Sequence, residues 1–234
     1  MLQTVIIAGG LATRLWPETK TIPKSLINIS GKPFIDWQLS LLKEKGISRV
    51  LLCIGYLGEQ VEDYVGDGKK WGLSVSYSYE GEKLLGTGGA LRNAFDKLED
   101  TFFITYGDSY LPINYQNVKE AFEQSRQPAL MTIYKNHSSF DKSNIAIENG
   151  NIKKYIKNSD DPDLIYIDYG LLVMSKSVIS KISPSEVIDL SKPLQDLVAN
   201  GELASSEVDQ RFYEIGSRSG IEMLEKYLKQ EEKI

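Results

Sequence analysis

Four apolar residues, Val5-Ile6-Ile7-Ala8, run straight into Gly9-Gly10. A run this short and β-branched reads as a buried strand, and the glycine pair lets the backbone turn sharply with no Cβ in the way. The same unit recurs with helical patterns between its copies. Apolar residues at Phe34, Ile35, Leu39 and Leu42 predict a helix over Phe34 to Lys45, closed by Gly46. Arg49 to Gly55 reads as a second buried strand, Glu59 to Val65 as a helix stopped at Gly66, and Leu73 to Tyr79 as an alternating strand after the G-D-G-K-K-W-G turn. Gly88 to Leu98 reads as a helix entered through a glycine-rich turn, and Thr101 to Tyr106 as a fourth buried strand. This βαβα order predicts an α/β fold built on a mostly parallel, doubly wound (Rossmann-like) sheet, with the loops after its strands gathered on one edge.

The second half changes character. Tyr115 to Gln124 is an expected helix and Ala129 to Tyr134 an expected strand. Asn149-Gly150, between I-A-I-E and N-I-K-K-Y-I, signals a hairpin with a type I′ turn. Leu164 to Met174 reads as a long strand interrupted at Gly170. Helices are expected at Lys192 to Ala199, with Ser191 as cap and Gly201 as stop, and at Gly220 to Gln230. With no internal repeat, heptad run or low-complexity linker, residues 1–234 are expected to form a single domain with an inserted β-hairpin region. A net charge of -5 offers no general hold on nucleic acid or anionic membrane, so neither is an expected partner and functional cations have to be locally focused. One cysteine, Cys53, and one histidine, His137, leave no Cys/His metal cluster; Cys53 lies in an apolar run and reads as a core residue of a cytosolic protein. Without a secretion-type start or an apolar run long enough to span a bilayer, a cytoplasmic location is expected.

Three stretches carry chemistry. Thr13, Arg14 and Lys24 follow the first glycine turn, and exposed amides beside fixed cations suit a polyphosphate. Leu85 to Ala90, L-G-T-G-G-A, presents free amides and admits a flat ring against the backbone. Tyr106-Gly107-Asp108-Ser109 places a carboxylate at a strand end, on the ligand edge of such a sheet. The joint spacing of Gly9-Gly10, Thr13-Arg14-Leu15, Pro17, Pro23-Lys24 and Gly31-Lys32-Pro33 closely resembles the signature of the sugar-1-phosphate nucleotidyltransferases, G-G-x-G-T-R-L-x-P-x-T-x-x-x-P-K with a G-K-P shortly after. Ala12 departs from it where the family has glycine, and a positive φ there would strain an alanine. The resemblance extends to the Glu214 region. L-G-T-G-G-A, Y-G-D-S and I-D-Y-G look most like the heptose- or mannose-1-phosphate guanylyltransferases, and N-acetylmuramate-1-phosphate uridylyltransferases share a similar T-G-G turn. No six-residue repeat follows residue 200, so the β-helical tail of some family members is not expected.

What the resemblance implies is transfer of a nucleoside monophosphate from an NTP to a sugar 1-phosphate, giving an NDP-sugar and pyrophosphate, with a leaning to GTP and to heptose or mannose 1-phosphate. It implies catalytic roles for Arg14, Lys24 and Asp108, nucleotide contacts from Ala8, Gly9, Gly10 and Thr13, and a base pocket from Gly86, Thr87, Gly88 and Gly89. It assigns the sugar phosphate to Asn144, Lys157, Asp168 and Gly170, with Lys153 and Lys154 competing for the role of Lys157. Mg²⁺ is implied on Asp108 and on Glu214, which stands where the family has aspartate. The nucleotide half would be about 1–112 and the sugar half about 113–234. Other bases, a phospho-alcohol or phosphonate acceptor, and a non-catalytic nucleotide-sugar sensor are alternative readings, the last kept open by Ala12 and Glu214. Trp16, Trp37 and Trp71 are core or interface residues, the latter compatible with a homo-oligomer. A P-loop ATPase is excluded because Gly31-Lys32 is followed by Pro33, and the first turn lacks the G-x-G-x-x-G of a dinucleotide oxidoreductase.

Overall fold

The computed structural model describes residues 1–81 and 83–231. In chain order its strands are β1 (Gln3–Ile7), β2 (Asn28–Ile29), β3 (Lys32–Pro33), β4 (Arg49–Ile54), β5 (Ser74–Tyr79), β6 (Thr101–Tyr106), β7 (Ser109–Tyr110), β8 (Ala129–Lys135), β9 (Ile145–Glu148), β10 (Asn151–Tyr155), β11 (Tyr166–Ser175), β12 (Leu203–Val208) and β13 (Tyr213–Glu214). The helices are α1 (Phe34–Glu44), α2 (Gly58–Val65), α3 (Gly86–Asn93), α4 (Tyr115–Ser125), α5 (Lys176–Ile179), α6 (Ser191–Ala199) and α7 (Arg218–Glu231).

β5, β4, β1 and β6 lie side by side and parallel. The chain leaves β1 towards β4 and β5, then returns to the opposite flank of β1 as β6. That reversal makes the carboxyl ends of β1 and β6 a topological switch point, where open α/β sheets bind ligands. Ala8-Gly9-Gly10 and Gly107-Asp108 stand there. Beyond β6 the sheet is mixed: β11 runs antiparallel to β6 and β8, and β12 parallel to β8. The β9–β10 hairpin joins through Ile145 opposite Tyr166. Its turn has φ of 54° at Asn149 and 79° at Gly150, as a type I′ turn requires.

The period-2 pattern of the strands divides the core between the two sheet faces. Val5, Ile7, Leu51 and Cys53 point to the side covered by α3, α5 and α6. Ile6, Leu52 and Ile54 point to the side covered by α1, α2 and α4. All of β1 is buried, as a central parallel strand demands. Burial, with the Glu80 charge adding to it, pushes the Cys53 thiol up to about 12, so it is an inert core group. A third apolar cluster, built around Phe34, Ile215, Leu224 and Leu228, seats α7 beside α1.

Three local features differ from the sequence reading. The helix expected to reach Leu98 ends at Asn93, and a 3-10 turn covers Phe95–Lys97. Ser191 is not the cap of α6 but its first residue; Asp189 Oδ1 accepts the Ser191 amide at 2.8 Å and does the capping. The pattern also gave no hint of β12, whose Ser205, Ser206 and Glu207 lack an apolar face and whose order comes from its pairing to β8.

Candidate active site

Tertiary contacts gather the candidate residues from distant parts of the chain. Buried Leu15 anchors the 3-10 turn that carries Arg14, and buried Ser25 anchors the one that carries Lys24. Thr19 closes the loop between them by donating to Ala12 O at 2.8 Å. Ala12 has φ 51° and ψ 42°, so it occupies the left-handed region where the related signature has glycine, at a cost of roughly 1–2 kcal/mol. After β6, Gln38 on α1 holds the turn by donating to Tyr106 O at 2.8 Å and Ser109 O at 2.9 Å. Ile215 N donates to Asp108 O at 3.0 Å, and the β7–β13 pairing puts Glu214 opposite Ser109. The two short strands thus bring the Glu214 carboxylate to the Asp108 turn. Gln38 carries no sequence signal for this role, since the turn it supports is 68 residues away.

Lys24 Nζ pairs with Asp108 Oδ2 at 2.8 Å. A Cβ on Gly216 would lie 2.6 Å from Glu214 Oε2, 3.1 Å from Arg14 Nη2 and 3.6 Å from Lys24 Nζ. Arg14, Lys24, Asp108 and Glu214 therefore converge on one place. Two cavities meet at it. One, of about 160 Å³, is lined by Ala8, Gly10, Lys24, Thr87 and Asp108. The other, of about 550 Å³, is lined by Arg14, Asp108, Asn144, Lys157, Asp168, Gly170 and Glu214. Asp108 and Tyr106 belong to both walls.

The glycines of the two turns divide by role. At Gly10 a Cβ would meet nothing within 4 Å, so its missing side chain leaves the cavity open. Gly107 lets the ends of β1 and β6 close up, since its Cβ would lie 2.6 Å from that of Ala8. At Gly86 (φ 74°) a Cβ would sit 2.7 Å from Ile188 O, and at Gly89 it would overlap Glu186 O. Gly88 and Gly89 also donate their amides to Ile188 O. The space freed by these glycines is thus filled by the 186–190 segment, and within the L-G-T-G-G-A turn it is Thr87 that faces the cavity. Gly9 abuts Glu80, whose Oε2 accepts the Leu85 amide at 2.7 Å. Glu80, pinned between the two glycine turns, is a residue the sequence reading missed; burial pushes its carboxyl up, partly offset by the Leu85 amide. Thr13 is exposed in the turn beside Arg14; Gly31 lies in the β2–β3 turn and Lys32-Pro33 forms β3, with Lys32 over the Trp37 ring at 3.5 Å.

On the wider side, Lys157 lines the cavity, whereas Lys153 pairs with Glu148 and Lys154 with Asp161 and Asp163. Of the three lysines, Lys157 is the one on the wall of this cavity. Lys157 Nζ itself pairs with Asp189 at 2.9 Å. Burial tends to raise the Asp189 carboxyl, but its bonds from Ser191 and Lys157 overcome this and bring it to about 2. Asn144 Oδ1 accepts the Asp168 amide at 2.9 Å. Gly170 (φ 98°) sits in a bulge of β11, where the three residues between Asp168 and Leu172 oppose the single Thr132 of β8, and its amide donates to Asp168 Oδ1 at 3.0 Å. Water-poor surroundings raise the Asp168 carboxyl, against the lowering by the Gly170 amide, Lys157 and Tyr155. With a raised folded-state pKa, its stabilising contribution is complete below about pH 4 and is lost as pH climbs through the folded value. Asp168→Asn is therefore expected to melt above the wild type at pH 8 and to lose that lead at pH 4, as read by thermal unfolding at the two pH values.

Mg²⁺ takes one or two carboxylates and fills its octahedron with phosphate oxygens and water. Asp108 and Glu214 suit it as hard oxygen donors on the wall of one cavity. Among the described residues no group of three or more His, Cys, Asp or Glu side chains is placed to hold a metal without such help. Both Glu214 oxygens also serve the protein: Oε2 accepts the Gly216 amide and Oε1 the Ser217 hydroxyl.

Residues 3–161, well over half the chain, match the nucleotidyl transferase family. The chain belongs to that family. It is 28% identical over 216 residues to the low-salt glycan biosynthesis nucleotidyltransferase Agl11 of Haloferax volcanii, covering 88% of this chain and 60% of that protein. This chain thus spans less than two thirds of that relative's length. It is 26% identical over 227 residues to the D-glycero-alpha-D-manno-heptose 1-phosphate guanylyltransferase of Campylobacter jejuni, covering 92% of this chain and 95% of the relative. In fold it is similar to HddC from Yersinia pseudotuberculosis complexed with GMP-PN, with a TM-score of 0.81 at 23% identity, over 97% of this chain and all of the other. No helix among the described residues is long and apolar enough to cross a membrane.

Proposed function

We propose that this member of the family transfers a nucleoside monophosphate from an NTP to a sugar 1-phosphate, releasing pyrophosphate and an NDP-sugar. The observation that carries the reading is the Lys24–Asp108 pair at the seam between the glycine-turn cavity and the wider polar one. A nucleotide in the first and a sugar phosphate in the second would meet there. The sugar phosphate is already an anionic nucleophile, so positioning and charge stabilisation supply the catalysis. Gly10 leaves the phosphates room, Lys24 faces the α-phosphate region, Arg14 neutralises the departing pyrophosphate, and Lys157 releases Asp189 to draw in the sugar phosphate. Asn144, Asp168 and Gly170 line the space for the sugar. Mg²⁺, held by Asp108 with Glu214, would offset phosphate charge when bound.

GTP, with heptose or mannose 1-phosphate, is the substrate pair we favour. The relative from Campylobacter jejuni, matched over nearly its whole length, is a heptose 1-phosphate guanylyltransferase by name. A matrix of four NTPs against a panel of sugar 1-phosphates, scored by pyrophosphate release, tests the reading. GTP should be the best donor. Pyrophosphate release from no pair would leave a nucleotide-sugar sensor instead.

A further inference from the structure

A smaller cavity, of about 250 Å³, opens beside the wide one and shares Arg14, Asp141, Phe212 and Glu214 with it. Nothing in the proposed reaction uses its far wall, where the guanidinium carbon of Arg211 lies 3.9 Å from the ring centre of Phe140 and 4.6 Å from that of Tyr213. Its Nε donates to Phe212 O at 3.2 Å, which fixes the plane of the guanidinium. Among the described residues, its other hydrogen bond reaches the Met223 sulfur, a weak acceptor, and no carboxylate pairs with it. Elsewhere in the cavity the carboxylates are engaged: Glu214 by the Gly216 amide and Ser217 hydroxyl, Asp141 by the Lys142 amide. A rigid, aromatic-backed guanidinium with unspent donors is suited to a planar carboxylate, which it grips through two parallel bonds. Phe140, a large apolar side chain still 39% exposed, and Met223 offer an apolar surface for the carbon stem of such a group. The rim carboxylates disfavour a dianionic phosphate more than a singly charged carboxylate.

We propose that this side cavity receives a carboxylate carried on the acceptor sugar, with Arg211 selecting acidic sugar 1-phosphates over their neutral counterparts. The proposal rests on the sugar-phosphate reading of the adjoining cavity and narrows its acceptor, from the neutral heptose or mannose 1-phosphate to a carboxylate-bearing derivative of such a sugar. Its test pairs a neutral hexose 1-phosphate with the same sugar bearing a carboxylate, both as the uronate and as a lactyl ether. Affinities are measured by calorimetry for the wild type, Arg211→Gln and Arg211→Lys in the presence of a non-hydrolysable GTP analogue, and turnover by pyrophosphate release. The wild type should prefer an acidic ligand by about 10-fold or more, the scale of a charge-assisted hydrogen bond. Arg211→Gln should abolish the preference through KM, with the neutral ligand unaffected, and Arg211→Lys should restore part of it. Equal affinity of the wild type for acidic and neutral ligands, or a loss in Arg211→Gln that is the same for both, overturns the proposal. Discrimination in binding without any turnover would instead uphold the cavity and sink the transferase reading.

Discussion

Lys24→Ala is expected to lose turnover by roughly 10²–10³-fold while its melting temperature stays close to that of the wild type. The two effects separate because of where the charge sits. Lys24 and Asp108 keep 18% and 28% of their side-chain surface open to the cavity. A partly solvated pair of this kind contributes about 0–1 kcal/mol to folding. The same ammonium facing a phosphate whose charge is being redistributed is worth several times more, because there it acts on the transition state alone. Asp108→Asn should match it: the amide keeps the shape of the side chain but removes the charge that would hold Mg²⁺. The double variant should lose less than the product of the two single losses, since each single change already strands the other partner. Steady-state pyrophosphate release with GTP and the best acceptor from the substrate matrix provides the measurement. Near-normal turnover by either folded single variant would remove that residue from the reaction.

Gly89→Ala is expected to destabilise the protein with no nucleotide present, by about 1–3 kcal/mol, which lowers the melting temperature by roughly 2–4 °C for each kcal/mol. Helix propensity alone points the other way, favouring alanine by about 0.8–1 kcal/mol inside α3. The contact outweighs it. The new methyl would overlap the Glu186 carbonyl and come within 2.8 Å of Leu85 Cβ, and a backbone carbonyl cannot swing aside as a flexible side-chain tip can. Gly10→Ala is the paired control. Its methyl would enter open space, so folding should be unchanged and KM for the NTP should rise. An unaltered melting temperature in Gly89→Ala would mean that the glycine serves the ligand and not the packing.

What could be read from the chain follows the range of the forces involved. β1, β4 and β6 are legible because a strand buried on both faces has to be apolar throughout, and Val5–Ile7, Val50–Ile54 and Phe102–Ile104 are. The β9–β10 hairpin is legible because Asn149-Gly150 determines its own φ values. β7 and β13 are not legible: each is two residues long and exists through pairing with a segment about a hundred positions away. Ser191 reads as the cap of α6 because serine is a good capping residue, yet it is the Asp189 carboxylate, held by Lys157, that accepts the Ser191 amide. In the site, the spacing of Gly10, Arg14 and Lys24, together with the Y-G-D-S turn that carries Asp108, points to residues that the fold does bring together. It said nothing of Glu80 or Arg211, whose surroundings are assembled by loops far apart in sequence. Nor could it tell that the glycines of L-G-T-G-G-A make room for residues 186–190.

That last contact has a consequence for any division of the molecule near residue 112. The turn from the first part is shored up by a segment of the second, and Asp189, within that segment, moors Lys157. β6 of the first part is also zipped to β11 of the second. With contacts of this kind joining them, both portions are expected to melt in a single cooperative transition.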